Sequence, residues 1–447
     1  MSEQAGFTRR RFFSVAAATI ATGPLGLVAL SRRVDAMTEA QTAVAQPAAG
    51  GKAGVRPFQV KFLDGDLADL RKRINATRWP EPETVTDASQ GVQFATIQKL
   101  ARYWGSEYDP GKLEPRITTA PHFITEIDGL DIHFIHVRSK HENALPVIVT
   151  HGWPGSFIEQ MKLIEPLTNP TAHGGSAADA FHVVIPSLPG YGFSGKPTTN
   201  DWDPPHIASA WTQLMKRLGY TKFVAQGGDW GNAVSEVMAL QAPPELLGIA
   251  TNMAATVPVE ISKAMASGSP PPSTLSADER RAWDQLDFFY KKGLAYANEM
   301  GLRPQTLYAI ADSPVGLAAW ILDHDKGSYE LIVRVFDGKP EGLTRDDICD
   351  NISMYWLTNT AISSARLYWT TRARSKGGGF FDTRGVKLPV IVSAFPDEIY
   401  TAPKSWSERA YPKLLLYSKH PRGAHYAAWE QPAAIVSDLR TGFKSLR

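Results

Sequence analysis

One cysteine, Cys349, in 447 residues excludes an intramolecular disulfide and leaves no thiolate cluster for a structural zinc. A lone thiol of this kind reads as ordinary packing. The chain also lacks a charge bias, with 47 Lys and Arg against 45 Asp and Glu. That excess is already accounted for by Arg9, Arg10, Arg11, Arg32 and Arg33 set against Glu3, Asp35 and Glu39. The remainder is balanced, which argues against a nucleic-acid partner. No internal repeat of about 20 to 50 residues recurs. The apolar run 14–30 is interrupted by Thr, Gly and Pro and is short for a stable membrane span. What is present is ordinary for a soluble globular chain: 43% hydrophobic and 21% charged residues, enough for a sizeable core.

The first 45 residues stand apart. Thr8-Arg9-Arg10-Arg11-Phe12-Phe13 leads into the moderately apolar run and then into small residues, an order that resembles a bacterial twin-arginine export signal. Cleavage is expected after Ala45 or after Ala36. The implied location is periplasmic or secreted, with contact with the membrane only during export; the alternative is an uncleaved N-terminal anchor. Folding is expected to begin near residue 46.

Beyond the leader, Leu63, Leu67, Leu70 and Ile74 have helical spacing, as do Phe94, Ile97, Leu100 and Trp104, so a helical lead-in is expected. Asp128-Gly129 between two apolar runs marks a hairpin. Short apolar runs at 146–150, 181–186, 223–226, 389–393 and 414–417 then alternate with helical stretches, the pattern of a mostly parallel sheet covered on both faces. From about 256 to 377 the strand pattern stops and the text turns helical and aromatic, as a cap inserted over the strand ends would. Residues 267–273 read as a Pro-rich linker, and Gly377-Gly378-Gly379 as a flexible return to the sheet. The expected organisation is a leader over 1–45, an N-terminal segment over 46–120, a core over 121–255, a helical cap over 256–377 and the rest of the core over 378–447.

Gly227-Gly228-Asp229-Trp230-Gly231 follows a strand and precedes a helix, the context of a nucleophile elbow with Asp in the central place. Alone, such a string also fits a helix-capping turn. If Asp229 is the nucleophile, the chemistry narrows sharply. A serine attacking saturated carbon leaves an ether that water does not readily cleave, whereas a carboxylate leaves a hydrolysable ester. Asp229 therefore points to substitution at an sp³ carbon.

His151-Gly152-Trp153-Pro154-Gly155 directly follows the strand 146–150, where an elbow of this kind draws one oxyanion donor from the backbone. That donor is assigned to the N–H of Trp153, and its partner to the N–H of Trp230. Gly423-Ala424-His425-Tyr426 follows the last strand and supplies a candidate base in His425. The acid that orients it is expected after the strand 389–393, where Asp397 and Glu398 compete. Asp323-His324-Asp325 raises the thought of a metal site, but the spacing places no further ligands, and the cluster reads as a loop or helix end in the cap.

With these residues in place, the chain resembles the microsomal-type epoxide hydrolases of the α/β-hydrolase superfamily. The likeness runs from about Pro57 to the C-terminus. It includes Thr77-Arg78-Trp79-Pro80, the hairpin around Asp128-Gly129, and His151-Gly152-Trp153-Pro154-Gly155-Ser156. It continues through the elbow, Asp312-Ser313-Pro314-Val315-Gly316-Leu317-Ala318-Ala319-Trp320, Tyr355-Trp356, and Ser363-Ser364-Ala365-Arg366-Leu367-Tyr368. The resemblance implies an α/β-hydrolase fold with a helical cap insertion and an N-terminal helical lead-in. It selects Glu398 as the acid through Phe395-Pro396-Asp397-Glu398, with Asp397 as the alternative. It implies two cap tyrosines that hydrogen-bond the epoxide oxygen, Tyr368 and Tyr296. The implied reaction converts an apolar epoxide and water to a vicinal diol through an ester on Asp229, with no metal or organic cofactor. Two other readings stand beside it. A haloalkane dehalogenase shares the aspartate and the second step, and a catalytically inactive binding protein shares the scaffold.

Overall fold

The structure, a computed structural model, describes residues 53–339, 342–375, 381 and 385–447. The leader 1–45 and the string Gly377-Gly378-Gly379 lie outside the described residues.

Among the described residues, short β-rich runs form nine strands: β1 (Arg56–Pro57), β2 (His122–Ile127), β3 (Leu130–Val137), β4 (Leu145–Thr150), β5 (Phe181–Pro186), β6 (Phe223–Gly227), β7 (Leu246–Thr251), β8 (Val390–Ala394) and β9 (Leu414–Lys419). They make one sheet in the order β1-β2-β3-β5-β4-β6-β7-β8-β9. Pairing is antiparallel from β1 to β5 and parallel from β5 through β9. The hairpin turns at Asp128-Gly129, where both residues take positive φ, as this two-residue connection requires. Val147, Ile148 and Val149 in β4 and Val183, Val184 and Ile185 in β5 are fully buried. Successive side chains point to opposite faces, so burial of consecutive residues means that both faces are covered. Truncating one such residue, Ile148 to Ala, would cost about 2–5 kcal/mol.

Two strands escape the sequence pattern. β1 is only two residues long, and β7 follows Ala242-Pro243-Pro244 closely enough to look like the tail of the preceding helix. In the structure Ala242 has φ 47° and ends that helix, freeing Leu246–Thr251 to pair with β6 and β8.

The lead-in forms helices Asp64–Asn75 and Phe94–Ser106. Leu70 and Ile74 are buried as their spacing predicts, but Leu63 is 55% exposed because it precedes the first helical residue and so falls outside the helical register. This segment is fastened to the helix Arg345–Leu357. Trp104 Nε1 donates to Ser353 Oγ at 2.9 Å, Tyr108 donates to Asp350 at 2.7 Å, and Arg116 pairs with the same carboxylate.

Between β7 and β8 the described residues form helices, including Val259–Ala266, Ala277–Phe288, Ala295–Leu302, Pro314–Leu322, Lys326–Phe336, Arg345–Leu357 and Ala361–Arg374. The starts are written in the sequence: Ser276 with Glu279 and Thr344 with Asp347 form capping boxes, and Ser313 caps a helix that opens on Pro314. The linker at 267–273 joins the first two of these helices. Among the described residues no helix is long and apolar enough to cross a membrane.

Candidate active site

β6 ends at Gly227 and the next helix begins at Trp230, so Asp229 occupies the bend between them. Its backbone has φ 50° and ψ −125°, a conformation that an L-residue holds only when its surroundings enforce it. The enforcement comes from close approach. A Cβ on Gly231 would collide with the backbone oxygen of Thr150, and one on Gly152 would collide with the Asp229 carboxylate itself. The loop after β4 is thereby pressed against the carboxylate. From that loop Trp153 N–H donates to Asp229 Oδ1 at 2.8 Å. Trp230 is the first residue of its helix, which places its N–H at the positive end of the helix dipole.

His425 reaches the same point from the loop after β9. Its Nδ1 lies 2.6 Å from Glu398 Oε1 and its Nε2 3.8 Å from Asp229 Oδ2. Glu398 is buried and also takes hydrogen bonds from Ile399 N–H at 2.8 Å and Asn252 Nδ2 at 3.2 Å. Asp397 points elsewhere: it is exposed, and its backbone pairs with the 423–424 strand edge. Of the two adjacent carboxylates, geometry puts Glu398 on the imidazole.

Burial opposes charge on His425, but the Glu398 carboxylate, with Asp229 and Asp325 behind it, outweighs that effect and lifts its pKa to about 10. The bond to Glu398 also fixes Nδ1 as the donor, leaving Nε2 turned towards Asp229.

The two tyrosines arrive from cap helices, Tyr296 from Ala295–Leu302 and Tyr368 from Ala361–Arg374. Their rings lie 6.0 Å apart. Trp153 stacks on Tyr296 at 5.0 Å and meets Tyr368 edge-on at 6.0 Å, and Trp230 meets Tyr368 edge-on at 4.7 Å. Burial, reinforced by charge from Asp229, pushes both phenols well above their ordinary pKa. Each is a neutral hydrogen-bond donor near neutral pH, with its hydroxyl buried among Asp229 and the aromatic rings.

Trp153, Trp230, Tyr296, Tyr368 and His425 therefore gather around the Asp229 carboxylate, with Glu398 behind the imidazole. A model described as the epoxide hydrolase N terminus matches residues 55–160, and one described as the alpha/beta hydrolase fold matches residues 146–307. A Stigmatella aurantiaca protein, provisionally named an epoxide hydrolase, is 48% identical over 396 residues, 88% of this chain and 86% of its own. Epoxide hydrolase 1 of Oryctolagus cuniculus is 36% identical over 86% of this chain and 88% of its own. The chain belongs to the epoxide hydrolase family. Solved structures agree with this epoxide hydrolase assignment. The juvenile hormone epoxide hydrolase of Bombyx mori superposes with a TM-score of 0.76 at 28% identity, covering 88% of this chain and 95% of that one. An Aspergillus niger epoxide hydrolase gives 0.72 at 29% identity, covering 91% and 100%.

Two residues of this epoxide hydrolase escaped the sequence reading, and a third sits elsewhere than its cluster suggests. Asn252, just past β7, was hidden with that strand. Glu159 is buried beside the loop after β4, and burial, with Asp229 adding to it, pushes its carboxyl up to about 8. His324 corrects the expectation for its cluster. Asp323 does end one helix and Asp325 does cap the next, but His324 is 1% exposed, and its ring centroid lies 4.4 Å from that of His425. The inward bend between two cap helices, which local spacing does not encode, brings it there.

Proposed function

We propose that the chain hydrolyses an apolar epoxide to a vicinal diol in two half-reactions on Asp229. The observation that carries this reading is a single carboxylate with one oxygen held by Trp153 N–H at 2.8 Å and the other facing His425 Nε2 at 3.8 Å.

In the first half-reaction Asp229 Oδ2 attacks a ring carbon, the C–O bond breaks, and the oxygen takes a proton from Tyr368 or Tyr296. The proton on His425 then restores the phenol by net transfer. Forming the ester removes the Asp229 charge, a lesser contributor beside Glu398 to the raised His425, so the imidazole gives up its proton more readily at the stage that needs a base. In the second half-reaction neutral His425 takes a proton from water, and the hydroxide attacks the ester carbonyl. The developing oxyanion is met by the N–H groups of Trp153 and Trp230, each donor of this kind typically contributing about 2.7–4 kcal/mol. Collapse releases the diol and returns carboxylate and imidazolium, so every proton is accounted for.

The apolar substrate class is supported by the aromatic walls from Trp153, Trp230 and the cap tyrosines. The experiment is repeated turnover in ¹⁸O-water followed by mass spectrometry of the elbow peptide. Incorporation of label into Asp229 is expected; turnover without it rules out the ester.

For the leader, we propose export through the twin-arginine route, on the strength of the Arg9-Arg10-Arg11-Phe12-Phe13 string. Replacing Arg10 and Arg11 by Lys is expected to retain the chain in the cytoplasm, and unchanged export would end that proposal.

A further inference from the structure

His324 has no part in the reaction scheme above, yet it is held with the care usually given to a working residue. Its Nδ1 lies 2.8 Å from Asp325 Oδ2. Asp325 is itself immobilised by accepting Ser328 N–H at 2.8 Å through its other oxygen. The imidazole is wedged against Trp153, Tyr296 and His425, at ring distances of 5.6, 4.8 and 4.4 Å. Its Nε2 is buried without a hydrogen-bond partner. A buried nitrogen left bare in this way carries a desolvation cost unless something arrives to use it.

Three further observations say what would use it. One ligand atom from each of Asp229, His324 and His425 lies within 4.8 Å of the other two. Both histidines have Nδ1 bound to a buried carboxylate, Asp325 for one and Glu398 for the other, so that Nε2 is the atom left for a metal on each, and an ion that takes His425 Nε2 displaces its proton to solvent. A carboxylate behind each imidazole is the outer arrangement that orients histidines onto a metal and raises their basicity. Finally, Asp229, Asp325 and Glu398 bring three carboxylates to two imidazoles, so a dication entering between them meets compensating charge.

We propose that Asp229, His324 and His425 form a divalent transition-metal site, of the two-histidine, one-carboxylate kind that takes zinc, and that its occupation shuts off turnover. A tetrahedral zinc with bonds of about 2.0–2.1 Å sets its ligand atoms roughly 3.3 Å apart. The donor–donor separations, at most 4.8 Å, therefore shrink by about 1.5 Å at most, within the reach of small side-chain rotations, with a fourth position left for water. The ion would occupy Asp229 Oδ2 and His425 Nε2 together. The inhibitory half of the proposal rests on those two groups being nucleophile and base; the binding half does not.

The test separates the two. Calorimetry of the mature enzyme with zinc chloride, and the visible spectrum with cobalt chloride, need no substrate. One ion per chain and the intense bands of four-coordinate cobalt are expected. Affinity should fall roughly 10–100-fold in Asp325→Asn, which keeps all three ligands but loosens the outer arrangement, and further in His324→Gln. Zinc should also stop diol formation in the parent enzyme, with recovery on adding EDTA, and the zinc concentration needed should rise in step with the loss of affinity in the two variants. Absence of zinc binding to the parent, or equal affinity in His324→Gln with native folding by circular dichroism, overturns the site. Stoichiometric binding that leaves diol formation untouched overturns the shut-off.

Discussion

The Nδ1 of His425 and the Oε1 of Glu398 lie 2.6 Å apart with both groups buried, and this bond orients the imidazole and favours its charged form. Glu398→Gln removes the negative charge that most strongly raises His425. The second half-reaction should slow by about 10²–10⁴-fold while the first persists, so the alkylated enzyme should accumulate and appear by intact-mass spectrometry. Asp397→Asn, on an exposed side chain, should change turnover by no more than about threefold.

Because His425 in the resting enzyme is held up at about 10, its protonation does not change across the neutral range. The rate of alkylation, followed as quenching of tryptophan fluorescence in single turnovers, should be flat between about pH 6 and pH 9. A step in that rate near pH 6.5 would show an ordinary histidine and remove the proton cycle proposed here.

Tyr368→Phe and Tyr296→Phe take away the two hydroxyls proposed to serve the departing oxygen, without emptying the aromatic wall. Each should slow alkylation by about 10²-fold, and the double variant more than either. Hydrolysis of an ester already formed should be nearly unaffected. Equal slowing of both half-reactions would assign the phenols to packing instead.

Glu159 makes a prediction about stability. Its carboxyl is raised to about 8, chiefly by burial, so the folded chain keeps a proton that the unfolded chain gives up near pH 4.3. Stability from this group is therefore present at low pH and falls as pH rises from about 4.3 to about 8. Glu159→Gln cannot ionise and escapes the loss. Its Tm should match the parent's at pH 4.5 and exceed it by about 2–5 °C at pH 8.5; an offset independent of pH would refute the ionisation argument.

Gly152→Ala introduces a methyl group against the Asp229 carboxylate. Relief requires moving either the loop or the nucleophile, at about 1–3 kcal/mol. Activity should drop far more than stability, because the Trp153 N–H moves with the loop. A variant with full turnover would mean that the loop is not where the Asp229 geometry requires it.

Much of this was already legible along the chain. The apolar strands, the hairpin at Asp128-Gly129, the elbow around Asp229 and the late His425 are local patterns, set by the steric needs of tight turns and by the burial of consecutive strand residues. Their chemical types alone narrowed the reaction to saturated carbon. Only the tertiary structure decided what depends on distance through space. Glu398 and Asp397 are neighbours in sequence, and their roles part only because one side chain turns into the core and the other into water. Tyr296 joins Tyr368 because two cap helices converge over Trp153, and His324 meets His425 because a helix end folds inward. Spacing along a chain encodes turns and faces; it does not encode which buried groups, far apart in sequence, come to share one low-dielectric site, where their charges set one another's chemistry.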